Sequence, residues 1–372
     1  MKEGRGIDYR FKILYAIAII MVVCGHTRGG GVTILNDWFP YGALHLPIFA
    51  FSSGYFYKNS SEKHPLRYIL KKIKTLVIPL YLYTIVYGLI VQFMRSKGFE
   101  MGGAFTLKNV LIAPIINGHQ FTYNLGGWFL APLFMLEISN LIIRKVLRLF
   151  YKKMPEIIFL IISIVLGIAG IKMAIAGYNH DWWLALVRML YFMPFFGMGT
   201  FYNRVLEKYE RKIPSFWLFA VIFAVKLGIG VHYVKMPEYY PAWCREFPEG
   251  PVMPIIVGYL GIFLWMRIAT ILEPAIGRSR PVNLIANSTF SIMMNQFLGF
   301  MIVKTIYAFF NKSFAMFPDF DWAAYKTDLF WYYIPRGLKN TLILYVFGGI
   351  AFSLAVQFVL NKVKSICLGI MK

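Results

Sequence analysis

Five side chains of reactive or orienting type lie inside long apolar runs: His26, His45, Trp128, Arg188 and Asn295. Ionisable groups at membrane depth are costly, so chemistry is sought there first. A histidine, with an unperturbed pKa of about 6.5, suits general-base work near neutral pH. In a water-poor site it could take the proton of a substrate hydroxyl while that oxygen attacks an acyl carbonyl. An arginine at the same depth could stabilise the developing oxyanion or hold a phosphate. Each residue also has a plainer use. A membrane histidine can be an interhelical hydrogen-bonding group, Trp128 an interfacial belt residue, and Arg188 a side chain snorkelling to headgroups. Asn287, Ser288, Ser291 and Asn295 recur at helical spacing and could be helix-packing contacts. Cys24 lies two residues before His26, a spacing that points the two side chains apart on a helix. No Gly-rich phosphate loop, H-E-x-x-H pattern or G-x-S-x-G elbow is present, so metal catalysis is not supported.

The elements that must position these residues are membrane helices. The 372 residues are 58% hydrophobic and only 15% charged, with a mean hydropathy of +0.59, far from a soluble mix. A spanning helix needs ~20 mostly apolar residues. Ten runs qualify, near 12–28, 39–57, 75–95, 124–143, 156–177, 182–201, 214–233, 252–272, 283–306 and 340–361. The expected fold is all-α and polytopic, about ten transmembrane helices, as one integral-membrane domain over 1–372 with no appended soluble domain. The first span starts basic, as a signal peptide would. No small-x-small cleavage site follows it, so it reads as retained.

The formal charge of +22 could point to nucleic acid, but its placement argues against that partner. With both termini in the cytoplasm, 25 of the 39 Lys and Arg fall on that side, Lys2, Arg5 and Lys372 among them. This is the positive-inside bias. It places the chain in the plasma or inner membrane with both ends inside, its basic runs against anionic lipid headgroups. Cys24, Cys244 and Cys367 are too widely spaced for a metal framework. At ~1.5 Å per residue, His26, His45, Trp128 and Arg188 all lie just under the outer face, with Asn295 a little over halfway up span nine. Their convergence is the expectation to be tested. Two outer loops, KMPEYYPAWCREFPE over 235–249 and the aromatic stretch 317–336, mix rings with Asp and Glu. That mixture suits a sugar, although aromatics also populate any membrane interface.

The sequence resembles the acyltransferase-3 family, polytopic enzymes that O-acylate sugars of surface polysaccharides. The first span ends in Val-Val-Cys-Gly-His26, similar to the family's apolar run ending Gly-His. His45-Leu-Pro-Ile-Phe leading to Ser-Gly-Tyr55 resembles its second segment and is the most specific match. A basic stretch leading to Pro79, then Gly127-Trp-Phe-Leu130, Arg188 through Pro-Phe-Phe-Gly197, and Ser288 through Asn295 complete the likeness. Two positions depart from it. Tyr15 stands where the family often carries Arg or Lys, with Arg10 and Lys12 nearby. Asn295 stands where it carries a late His, and asparagine cannot act as a base at neutral pH.

The resemblance implies an acyl donor, usually acetyl-CoA, supplied from the cytoplasm. Its phosphates would meet Arg67, Lys71, Lys72 and Lys74 at the foot of span three, with Arg10 and Lys12 also available. His26 would be the general base, His45 its assistant, and Arg188 a donor or oxyanion ligand. Trp128, Asn295, Ser288 and Tyr15 would shape the substrate site. The acceptor would be a glycan or glycolipid outside. A transporter or flippase for a lipid-linked sugar is the alternative, and a silent relative acting only as a partner is a third. The oligomeric state is open.

Overall fold

The computed structural model describes residues 7–27, 35 and 37–370, the last four for the backbone alone. Lys2, Arg5, Lys372 and the Cys367 side chain lie outside the described residues.

The described chain is helical, without a strand, save for one isolated bridge between Tyr240 and Arg245. Ten long elements alternate in direction: α1 (Tyr9–His26), α2 (Tyr41–Tyr55), α3 (Pro65–Ser96), α4 (Thr122–Phe150), α5 (Glu156–Ile175), α6 (Asp181–Glu210), α7 (Ser215–Tyr233), α8 (Met253–Ile276), α9 (Thr289–Phe314) and α10 (Lys339–Ile366). Among the described residues, nine are long and apolar enough to cross a membrane. The exception is α2, at 15 residues. It nevertheless runs antiparallel along α1: Tyr55 packs against Phe11 with ring centroids 4.3 Å apart, and Phe49 stacks on Tyr15 at 5.8 Å.

Two sequence expectations shift. The ninth span begins at Thr289 rather than near 283, because Asn287 and Ser288 break the chain into a short helix, Arg280–Asn287, before α9. The third begins ten residues early, at Pro65, with a π-type turn over Ile73–Val77. Pro79 has no N–H and its ring crowds the carbonyl of Thr75, so the extra residue in that turn relieves the mismatch.

The bundle is built around α6. Its most apolar window is 89% buried, against 17% for α7 at the rim. Lipid tails are as apolar as leucine, so helices associate here through close packing and hydrogen bonds. Gly54 of α2 lies against the carbonyl of Phe196, and Gly199 of α6 against that of Phe51; a Cβ at either would overlap that oxygen. Gly299 of α9 meets Gly348 of α10 in the same way.

Charges divide the two ends. At the end holding Tyr9, Arg10 pairs with Glu207 at 2.8 Å, Arg267 with Glu210 at 2.5 Å and Arg144 with Glu156 at 2.9 Å. The end holding His26 carries the long connections. Gly199→Val should force α2 and α6 apart, an overpacking cost of about 1–3 kcal/mol or more. A lower melting temperature and less monodisperse protein are expected by size-exclusion chromatography after heating. Gly228→Ala, with nothing within 4 Å of the added carbon, should match wild type.

Candidate active-site chamber

His26 is the last residue of α1, and the helix brings its ring to α9. Its Nδ1 lies 3.2 Å from Oε1 of Gln296. The Gln296 amide nitrogen donates to the Met293 carbonyl at 3.2 Å, which fixes the amide's orientation. The oxygen therefore faces the ring, and Nδ1 is the protonated nitrogen. Nε2 of His26 keeps its lone pair. His45, one turn into α2, reaches the same state by a different contact. Its Nδ1 meets the carbonyl oxygen of Tyr41, which can only accept, so Nε2 is again the basic nitrogen. His26 is further fixed by Phe297, at 4.8 Å between ring centroids, and by Tyr332, whose hydroxyl donates to the His26 carbonyl at 2.8 Å.

Both histidines line one cavity of about 310 Å³ at this end of the bundle, with Trp128 in its wall. Three of the expected residues thus converge. Arg188 lies behind Trp128 instead of on the cavity wall. Its guanidinium sits 4.6 Å from the indole centroid, and its nitrogens donate to the carbonyls of Asn117 (2.9 Å) and Ala242 (2.9 Å). It is fully buried, and no carboxylate pairs with it among the described residues. It holds the loop 238–243 and the turn 117–119 against Trp128. That turn needs Gly118, whose φ of +75° is left-handed and whose Cβ would strike Trp128 at 2.5 Å.

Asn295 also stays off the chamber. It accepts from Tyr87 Oη at 2.8 Å and donates to the Ser291 carbonyl at 2.8 Å, tying α3 to α9. The residue that meets His26 is its neighbour, Gln296, about 100° further round the helix. Ser288 is buried at the junction before α9, where its carbonyl accepts from Ile292 at 2.9 Å. It lines none of the cavities described.

Two more cavities continue from the chamber toward the Tyr9 end. The next, of about 240 Å³, shares Val22, Leu46, Phe129 and Met293 with the chamber and is mostly apolar, with Tyr15, Ser53 and Thr289 as its polar side chains. The last, of about 560 Å³, shares Tyr15 and Ser53 with that slot. Arg67, Lys71 and Lys72 line this third cavity, beside Lys58 and His64. Lys72 is paired with the buried Glu137, which also accepts from Tyr68. Arg67 and Lys71 have no ion pair among the described residues. Of the other expected phosphate ligands, Arg10 is taken up by Asp8 and Glu207, Lys12 donates to Asn287, and Lys74 is exposed outside this cavity.

The outer-loop expectation divides. Glu238, Tyr240 and Trp243 of the first loop line the chamber. The aromatics of the second pack on one another, with Phe320 5.1 Å from Trp331 and 5.3 Å from Tyr333, and only Phe330 reaches the cavity. Its acids are occupied too: Asp319 accepts from Tyr333 at 2.6 Å, and Asp321 caps a short helix. Sequence reasoning missed His119 and Gln296, both in contact range of chamber groups. Helical phase relative to Met293 could have indicated Gln296. His119 carried no signal beyond its nearness to Trp128.

The family profile described as an acyltransferase domain matches residues 8–362, nearly the whole chain. Neither a curated protein nor a solved structure matches the sequence. Replacing Arg188 by Gln should release the loop it holds. Cys244 is fully buried there, and burial pushes its thiol up to about 12. In a background without Cys24 and Cys367, maleimide labelling of Cys244 should rise about tenfold over the Arg188 parent. An unchanged rate would show that Arg188 does not hold this wall.

Proposed function

We propose that this chain, which belongs to the acyltransferase-3 family, is a membrane O-acyltransferase that moves a short acyl group, acetyl in the simplest case, from a cytoplasmic acyl-CoA to a hydroxyl of a cell-surface glycan or glycolipid. The observation that carries the reading is the series of cavities with shared walls, running from a basic mouth to two histidines. The positive-inside bias assigns the basic mouth to the cytoplasm and the chamber to the outer side. Arg67 and Lys71 would meet the phosphates of CoA, and the apolar slot past Tyr15 would take its thioester arm. Eleven residues of helix separate Tyr15 from His26, a path of roughly 16 Å at 1.5 Å per residue. The acyl carbonyl would then lie in the chamber without the phosphates leaving the mouth.

In the transfer step, Nε2 of His26 accepts the proton of the acceptor hydroxyl as its oxygen attacks the thioester carbonyl. The tetrahedral adduct collapses, the carbon–sulfur bond breaks, and the departing thiolate takes the proton back from the imidazolium. Gln296 keeps the ring in the required tautomer. His45 offers a second basic nitrogen to orient the hydroxyl. Arg188 would act through Trp128 and the chamber walls, not on the donor or the oxyanion. Asn295 and Ser288 would serve α9's placement, and Tyr15 the wall of the donor path. An ion-coupled transporter would use a free acidic group at membrane depth; among the described residues Glu137 is instead ion-paired with Lys72.

With purified protein, labelled acetyl-CoA and a glycan acceptor, His26→Ala should lower transfer by about 100-fold or more with insertion intact. Wild-type transfer by that variant would remove the mechanism, and glycan flux in proteoliposomes without covalent change would favour transport. Arg67→Gln combined with Lys71→Gln should raise the donor KM about tenfold, equivalent to about 1.4 kcal/mol, and weaken its salt dependence. A donor KM unchanged by the double substitution would move the phosphate site elsewhere.

A further inference from the structure

The chamber has a wall that the transfer step above does not use. His119, in the turn held by Arg188, lines it beside Trp243 of the loop 238–243. The two rings lie 4.2 Å apart between centroids, tilted by 43°. Trp243 is 46% exposed and Tyr240 51% exposed although both line the cavity, so they stand at its mouth. Glu238, also exposed, completes that rim.

His119 is the least satisfied polar group in the chamber. Both ring nitrogens are buried, and neither has a hydrogen-bond partner among the described residues. Leaving buried donors and acceptors unpaired is unfavourable, and such groups point to a ligand that completes them. The connection holding His119 lies outside the spanning helices, and burial, followed by the nearby Arg188, lowers its pKa to about 3. The ring is therefore neutral at ordinary pH, with one nitrogen that donates and one that accepts. A hydroxyl, which also does both, matches it. The carboxylate of Glu238 only accepts. Tyr240 donates to it, and further lone pairs remain for hydroxyl donors.

We propose that His119, Trp243 and Glu238 form the acceptor subsite of the chamber, holding one pyranose ring with its apolar face on the Trp243 indole and its hydroxyls on His119 and Glu238. This rests on the glycan-acceptor reading above and adds the residues that would select it. A lipid tail would gain nothing from His119 or Glu238, whereas a sugar uses the ring face and both polar groups together. Arg188 fixes both segments, so one buried cation sets the spacing between the platform and the hydrogen-bonding wall.

The test uses the full chain in lipid nanodiscs, with the methyl glycosides of glucose, galactose and N-acetylglucosamine as probes. Saturation-transfer NMR should report ring protons in contact with wild-type protein. Trp243→Ala should reduce that transfer at least about fivefold, and Trp243→Phe should restore much of it. His119→Ala should raise the acceptor KM about tenfold, with His119→Gln intermediate, and the change should fall on the acceptor KM more than on kcat or the donor KM. Glu238→Gln, which lies at the exposed rim, covers the case in which a tryptophan variant fails to fold. The inference is overturned if no glycoside shows saturation transfer that depends on Trp243 or Glu238. It is also overturned if His119→Ala and Glu238→Gln both leave the acceptor KM within twofold. Glycoside binding that depends on Trp243 without acyl transfer from acetyl-CoA would sink the enzyme reading and keep the subsite. Acyl transfer with an untouched acceptor KM would do the reverse.

Discussion

A guanidinium taken out of water must be matched by hydrogen-bond acceptors, or the structure around it does not persist. Arg188 meets that demand without a carboxylate. It draws in the carbonyls of Asn117 and Ala242 and lies on the face of Trp128. Those three partners come from two separate connections and the start of α4. By recruiting them, one buried cation assembles most of the chamber wall facing the histidines. His119 follows because it is two residues from Asn117, and Trp243 because it follows Ala242. A carboxylate in place of the carbonyls would have neutralised the charge from a single point and left both connections unanchored.

The opposite end of the bundle handles its cations in another way. There Glu207, Glu210 and Glu156 each take an arginine, and Glu137 takes Lys72. Those pairs consume much of the basic density at that end. Arg67 and Lys71 remain beside the largest of the three linked cavities. Positive charge at this end is thus split between cations that hold helices together and cations that line a cavity without an ion pair among the described residues. Composition cannot make that distinction, because both groups have the same residue types at similar spacing.

Much of the chamber was visible in the sequence. His26, His45 and Trp128 sit in apolar runs at similar calculated depth, and they meet in one cavity. Asn295 and Gln296 show where such reasoning stops. They are adjacent in sequence and equally polar, yet one binds Tyr87 and the other His26. A rotation of about 100° separates them, and the face each presents depends on which helices flank α9. Arg188 shows the same limit. Its depth was predictable, but the intervening Trp128 was not. The second outer loop is a third case: its aromatic and acidic composition suits a sugar, but its rings pack on each other and its acids are already bonded.

The sequence by itself determined the class of protein and the shared level of His26, His45 and Trp128 along their helices. Hydrophobic run length is a one-dimensional property set by bilayer thickness, and depth follows from helical rise. Which residues share a wall was decided only by the tertiary structure. Close contacts at Gly54, Gly199 and Gly299 set the helix neighbours, and the hydrogen bonds of Arg188 set the connections over the chamber. Those are distances between segments far apart in the chain, and no local pattern of residues encodes them.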